Sequence, residues 1–267
     1  TIHHDSADLA APWRAAAAYL YTLDLDGPAL AWEYLRRHAG YRADWLSGQR
    51  RASRGSASHW GLQRAEDPQL DARQARPLWT AAADALLHVR AAFTHDSTAS
   101  LAFDLWKIPG RKHLTHAGTQ LNIRAEHGPN RLRASLSTAL EDGAAYGLTV
   151  PLDAHLRTQL TGYQSQAKAI QGQWPAVSGK KVTRASLLHL HALQALDASQ
   201  AGAHHRDIAG ALFGVDAVRK RWTADSELRA QVRHLLTRAE GLMRGGYLAL
   251  AGVRQPHIST PGDEPAH

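Results

Sequence analysis

Apolar positions along this chain change spacing twice. Up to about Trp79 they recur at helical intervals. Residues 15–21 are rich in helix formers and follow Pro12, whose fixed φ suits a first helical turn. The run Asp24-Leu25-Asp26-Gly27-Pro28 breaks that pattern. Residues 29–38 then put Leu30, Tyr34 and either Trp32 or Leu35 at helical spacing, with Gly40 as the stop. The polar, basic, Gly/Ser-rich segment 47–58 predicts a mobile loop. Between about Ala83 and Leu152 the spacing becomes every second residue. Leu101/Phe103/Leu105, Leu121/Ile123/Ala125 and Leu132/Ala134/Leu136 alternate as half-buried strands do, and His127-Gly128-Pro129-Asn130 reads as a hairpin connection. A small antiparallel sheet is expected there.

Helical spacing returns after Pro151, with a linker over 171–181 carrying Gly172, Pro175 and Gly179. A helix is predicted over 183–201, with Leu187, Leu190, Leu193 and Leu196 inward and Gly202 as its stop. A second covers 205–213, with Ile208, Ala209, Leu212 and Phe213 apolar and Gly214 ending it. A third opens at Ser226, a good N-cap, and continues to about Arg244 before Gly245-Gly246. Residues 245–251 then suggest a short strand or wing, and 255–267 a disordered tail. The expected fold class is α+β and mainly α. Its expected parts are an N-terminal helical module (9–82), a sheet region (83–152) and a C-terminal extended helix-turn-helix bundle (153–254).

Composition narrows the chemistry. The 267 residues contain no cysteine, which excludes disulfides, cysteine zinc sites, Fe–S clusters and a thiol nucleophile. Apolar residues make up 44%, enough for a folded core. No run approaches the roughly 18 apolar residues of a membrane span, and no secretory pattern opens the chain. A protein of the cytoplasm is expected, with no membrane partner. Of the net charge of +7, residues 180–254 carry +6 (12 basic, 6 acidic), whereas 255–267 hold only Asp263 and Glu264. Such a basic segment suits a polyanion, or else is simply a solvated face.

The third C-terminal helix sharpens the first of these readings. At about 100° per residue, Leu228, Val232, Leu235, Leu236, Ala239, Leu242 and Met243 fall on one face. Ser226, Arg229, Ala230, Arg233, Thr237 and Arg244 fall on the other. Guanidinium forks beside small residues can read guanine or grip phosphate at the bottom of a groove. Arg184, Arg206, Arg219, Lys220 and Arg221, with Lys180 and Lys181, lie near in sequence as candidate backbone contacts. Any exposed helix carries arginines, however, and a protein-interaction module remains the alternative. The stretch from Gly214 to Asp225 also far exceeds the three- or four-residue turn of a simple helix-turn-helix.

These segments carry a resemblance. PWRAAAAYLYTLDLDGPALAWEYLRRHAGYRADW (12–45) resembles the N-terminal regulator-like domain of proteobacterial mobile-element proteins. Its LAWE-[FY]-LRR core stands at 30–37, and its Tyr-Arg-x-Asp-[WY] at 41–45. WGLQRAEDPQLDARQARPLW (60–79) looks like the joining segment. HRDIAGALFG (205–214) and SELRAQVRHLLTRAEGLMRGGYLAL (226–250) are similar to the family's C-terminal DNA-binding domain. Together the two ends resemble the FseA-type activators of integrative and conjugative elements. That resemblance implies a transcriptional activator of excision and transfer genes, bound to promoter or operator DNA, and nucleoid-associated when bound. It also implies RNA polymerase or a small antiactivator protein as protein partners, since single-domain relatives can bind the activator. A departure from the helix-turn-helix habit is His204, which stands where Ser or Thr opens the helix.

Other constellations add little. Among 17 histidines, His189/His191, His204/His205 and His113/His116 lack the i, i+4 spacing and third ligand of a metal motif. No metal or cofactor is expected. Trp13, Trp32, Trp45, Trp60 and Trp79 suit either a core or a partner surface, Trp32 best the core. Glu66-Asp67 and Glu141-Asp142 sit in no metal motif, no phosphate loop or nucleophile elbow occurs, and His234 to Arg238 has the wrong spacing for a tyrosine recombinase. No enzymatic activity is expected. A homodimer is compatible with the chain, although no coiled-coil heptads announce one.

Overall fold

The computed structural model describes residues 12–51, 57–80, 87–92, 101–117, 120–127, 130–150, 156–174, 182–223 and 226–253. Its helices are α1 (Gly27–Leu35), α2 (Ala39–Arg51), α3 (Leu156–Ile170), α4 (Arg184–Gln200), α5 (His205–Phe213), α6 (Val215–Arg221), α7 (Glu227–Gly241) and α8 (Tyr247–Leu250). The strands are β1 (Leu87–Ala91), β2 (Arg111–Ala117), β3 (Gln120–His127), β4 (Asn130–Ser137) and β5 (Tyr146–Thr149). The fold is α+β and mainly α. Two compact units form, one from residues 1–81 with 182–267 and the other from 82–181. The linear division at 82 and 152 misses this arrangement. The N-terminal and C-terminal helices share one unit, and helix 156–170 belongs with the sheet.

In the first unit, residues 15–24 form a 3-10 turn (Ala16–Asp24) rather than a regular α-helix. Asp26 then caps α1, its Oδ1 accepting from the Ala29 amide at 3.1 Å, with Pro28 in the first turn. Every residue from Ala29 to Leu35 is buried, as expected of a helix apolar nearly all round. The run 24–28 is therefore a helix start as well as a break. Gly40 lies inside α2, and α2 carries Ser47–Arg51 into the stretch expected as loop; residues 52–56 fall outside the described residues. Segment 62–79 wraps the pair. Trp32 Nε1 donates to the Leu70 carbonyl at 2.9 Å, the Tyr41 hydroxyl to Glu66 at 2.6 Å, and Leu62 bridges to Trp79. Gly27 sits so close to α8 that a Cβ there would lie 2.5 Å from the Leu250 carbonyl oxygen.

The second unit has strand order β2-β3-β4-β1-β5. The sheet is mixed rather than antiparallel, because β1 pairs parallel to β4 (Leu87↔Ala134, Val89↔Leu136) and antiparallel to β5. Pairs β2–β3 and β3–β4 are antiparallel, and His127↔Asn130 closes the expected hairpin; Gly128 and Pro129 lie outside the described residues. Leu101, Phe103 and Leu105 form no strand. Ala102 makes one bridge to Ala145, and Asp104 caps a 3-10 turn over Leu105–Lys107 by accepting from the Trp106 amide. Leu87, Val89, Ile123, Ala125, Leu132, Ala134 and Leu136 build the inner face, which Tyr163, Ala169 and Ile170 of α3 cover.

One buried cation ties the first unit together. Arg37, just after α1, is 3% exposed. Its Nε and Nη2 donate to Asp197 of α4 at 2.6 and 2.9 Å, and its Nη1 to the Glu33 carboxylate and carbonyl, each at 2.6 Å. The Tyr19 hydroxyl donates to Asp197 at 2.7 Å, and Glu33 Oε1 accepts from the Ala72 amide at 2.7 Å. Nearby, Tyr34 shares a 2.9 Å hydrogen bond with His189 Nδ1. Burial alone pushes the Asp197 carboxyl up, but the Arg37 guanidinium and the Tyr19 hydroxyl hold it below the usual carboxylate range. Burial and the Arg238 charge push His189 down.

Asp197→Ala leaves the Arg37 cation buried without its bidentate partner. It should cost about 3–5 kcal/mol in urea denaturation at neutral pH. Acid should weaken the wild-type chain in two steps. His189 stays neutral when folded but takes a proton when unfolded below its ordinary 6.5, so stability falls as pH drops past that value. Asp197 contributes stability that is present above its ordinary 3.8 and lost as pH falls through its lower folded value. In a melting series against pH, His189→Gln should shrink the upper step, to which His38 and His191 also contribute, and Asp197→Ala the lower one, which Asp71 shares.

Candidate nucleic-acid interface

The C-terminal helices begin at a reciprocal cap. Thr183 Oγ1 accepts from the Ser186 amide, and Ser186 Oγ from the Thr183 amide, both at 3.0 Å. Along α4, Leu190, Leu193 and Leu196 are buried, while Leu187 is 40% exposed at the first turn, against expectation. Helix α5 follows the predicted bounds, with Ile208 and Ala209 buried and Leu212 and Phe213 half-buried. His204 stands at its N-cap and makes no side-chain cap hydrogen bond.

The long stretch after Gly214 contains a helix that the hydrophobic spacing did not announce. Gly214 alone separates α5 from α6, with φ 92° and ψ 144°, a conformation that favours glycine. Helix α6 has only seven residues. Its signals are faint: Val215 and Val218 three apart, Asp216 in the first turn, and Arg219, Lys220 and Arg221 at the C-terminal end, each sign complementing the helix dipole.

Helix α7 has the predicted two faces. Leu228, Val232, Leu235, Leu236 and Ala239 are buried, and Arg229, Ala230, Arg233 and Thr237 are exposed. Ser226, half-buried, caps it by accepting from the Arg229 amide at 3.4 Å. Leu242 and Met243 are half-buried in a π-helical segment, Leu242–Gly246, where Gly245 (φ 143°) turns the chain. Residues 247–250 are helical (α8) and not a strand or wing, because Tyr247 is buried with its hydroxyl donating to the Trp60 carbonyl at 3.2 Å.

Arg184, Arg206, Arg219, Lys220, Arg221 and Arg244 are also exposed. Lys180 and Lys181 lie outside the described residues. Some of the cations have a neighbouring carboxylate: Arg219 with Asp216 at 3.6 Å, Arg221 with Glu227 at 3.3 Å and Arg244 with Glu240 at 3.1 Å. Such solvent-exposed pairs hold a side chain only weakly and yield readily to a phosphate. The structure thus presents an α7 strip (Arg229, Ala230, Arg233, Thr237) and, apart from it in sequence, a groove lined by Arg206 of α5 and Arg219 of α6. Arg14, from the N-terminal segment, lines the same groove. Sequence reasoning missed Arg14, because nothing local marks its proximity to residues about two hundred positions away.

Helices with exposed guanidiniums on a rigid apolar scaffold fit a DNA-binding protein. Residues 149–251 match a family described as a T6SS transcription factor, DNA binding domain, and residues 12–63 match a proteobacterial transcriptional regulator-like domain. These matches support a DNA-binding transcription regulator, with DNA as its partner. Residues 94–128 match a domain of unknown function. None of the curated proteins matches the chain. Among the described residues no group of three metal-ligating side chains occurs, and no helix is long and apolar enough to cross a membrane.

A Cβ at Gly214 would meet nothing within 4 Å, so Gly214→Ala tests backbone strain alone. It should lower stability by about 1–3 kcal/mol in denaturant melts.

Proposed function

We propose that this chain is a sequence-specific bacterial transcription regulator of the FseA type, activating excision and transfer genes of an integrative and conjugative element. The observation that carries this reading is the union, in one compact unit, of the segment similar to a regulator-like domain (12–63) and residues 182–251 of the segment similar to a DNA-binding domain, whose first part, 149–181, lies in the sheet unit. Helices α5 to α7 act as an extended helix-turn-helix on promoter or operator DNA. Arg229 and Arg233 face the groove with Ser226, Ala230 and Thr237 beside them. Arg184, Arg206, Lys220, Arg221 and Arg244 grip phosphates. The N-terminal helices contribute protein contacts, to RNA polymerase, a small antiactivator or a second copy in a homodimer. The protein works in the cytoplasm, on the nucleoid when bound, without catalysis and without a cofactor.

Selection of the purified protein on random duplex DNA at two salt concentrations tests this. An enriched motif that survives the higher salt is expected. If about six phosphates are neutralised, log affinity should fall with log salt at a slope of about −5. Binding that enriches no motif, or that shows no salt dependence, contradicts the reading and favours a protein-interaction module. Arg233→Ala should cost about 1–3 kcal/mol and relax one base position; a uniform loss over all sequences reassigns it to phosphate.

A further inference from the structure

The groove between α5 and α6 is open and about 670 Å³ in volume. Three guanidiniums line it, each from a different segment: Arg14, Arg206 and Arg219, with Asp207 as the only carboxylate among its lining residues. Counted over the lining residues the excess is two positive charges, and Asp216 beside the groove stands 3.6 Å from the Arg219 guanidinium. Gly210 and Ala211 line the same groove with almost no side chain, and a Cβ at Gly210 would find only a Val215 methyl at 4.0 Å. Arg14 is positioned through its neighbour Trp13. Its guanidinium stacks over the Trp13 ring at 4.3 Å, and the Trp13 carbonyl accepts from Gln194 Nε2 of α4 at 2.8 Å. Trp13 itself is buried, whereas the Arg14 side chain is exposed.

We infer that this groove is a clamp for the phosphodiester backbone of duplex DNA, and that Arg14 extends the DNA contact into the N-terminal regulator-like segment. The inference rests on the DNA-binding reading above. Guanidinium forks pair with phosphate oxygens through two parallel hydrogen bonds, and three of them around a slot with small residues admit a strand that a bulkier wall would repel. In tandem-helix DNA binders the first helix of the pair crosses the backbone. Here α5 takes that place, with Arg206 and the groove on its α6 side. The N-terminal segment, matched over 12–63, is then part of the DNA contact as well as a protein-binding module.

The test is fluorescence anisotropy of the full chain on a duplex carrying the selected motif, across a salt series. Arg14→Ala should weaken binding about tenfold and flatten the log–log salt slope by about 0.9, with the preferred sequence unchanged. Arg14→Lys keeps the charge and should restore the slope while recovering only part of the affinity. Gly210→Leu keeps every charge, improves helix propensity and fills the slot; it should weaken binding at all salt concentrations. Melting curves of Arg14→Ala and Arg14→Lys should match the wild-type chain, and Gly210→Leu should melt no lower. Inorganic phosphate at matched ionic strength should not displace the duplex, since one phosphate engages few of the three cations. If it does, the groove is a small-anion site and the clamp is overturned. Wild-type binding with Arg14→Ala and Gly210→Leu both unaffected overturns the clamp alone. A wild-type chain with no affinity for any duplex overturns the DNA reading and the clamp together.

Discussion

The guanidinium of Arg37, buried between the carboxylates of Glu33 and Asp197, is the interaction on which the helical unit depends. A cation so placed is tolerable only when its nitrogens find acceptors, and here the Glu33 side chain, its carbonyl and both oxygens of Asp197 give each of the three at least one. Tyr19 and the Ala72 amide occupy remaining lone pairs of the two acids. The network therefore couples the 3-10 segment, α1, the 62–79 wrap and α4 in one polar centre. Its value lies in specification more than in net stabilisation. An apolar replacement of similar volume can match the energy of such a pair, whereas a half-removed one is severely unfavourable.

That constraint decides how the two end segments relate. Arg37 belongs to the regulator-like segment and Asp197 to the DNA-binding segment, so neither completes its own core. Gly27 against the Leu250 carbonyl, Tyr247 donating to Trp60, and Gln194 donating to Trp13 repeat the pattern at three other places. Along the chain, the residues of the sheet unit (82–181) fall between the two stretches that make up the helical unit. With α4 gripped from the N-terminal side, α5, α6 and α7 are left to turn their cations to solvent.

Local chemistry was legible in the sequence, and distant pairing was not. The helix over 205–213 and the Ser226 cap were readable because apolar spacing and a capping side chain act within a turn or two. Helix α6 escaped because seven residues with two valines give no periodic signal. The parallel β1–β4 pairing escaped because it joins strands some forty residues apart, and Leu101 to Leu105 alternated without forming a strand. In Arg37 the failure is most complete: its partner stands 160 residues away, and a charged residue in LRR reads as surface. The strip on α7 was visible as a helical face, whereas the groove with Arg14 exists only once the ends of the chain meet.

Native-state hydrogen exchange, with and without the selected duplex, tests most directly whether the regulator-like and DNA-binding segments act as one body. A ligand that binds only the folded state raises the opening free energy of every amide in the cooperative unit it occupies. Saturating duplex should therefore slow the core amides of α1, remote in sequence from α5 to α7, by the same factor as those of α4. Protection confined to residues 182–251, with α1 exchanging as it does without DNA, would contradict a single body built around Arg37.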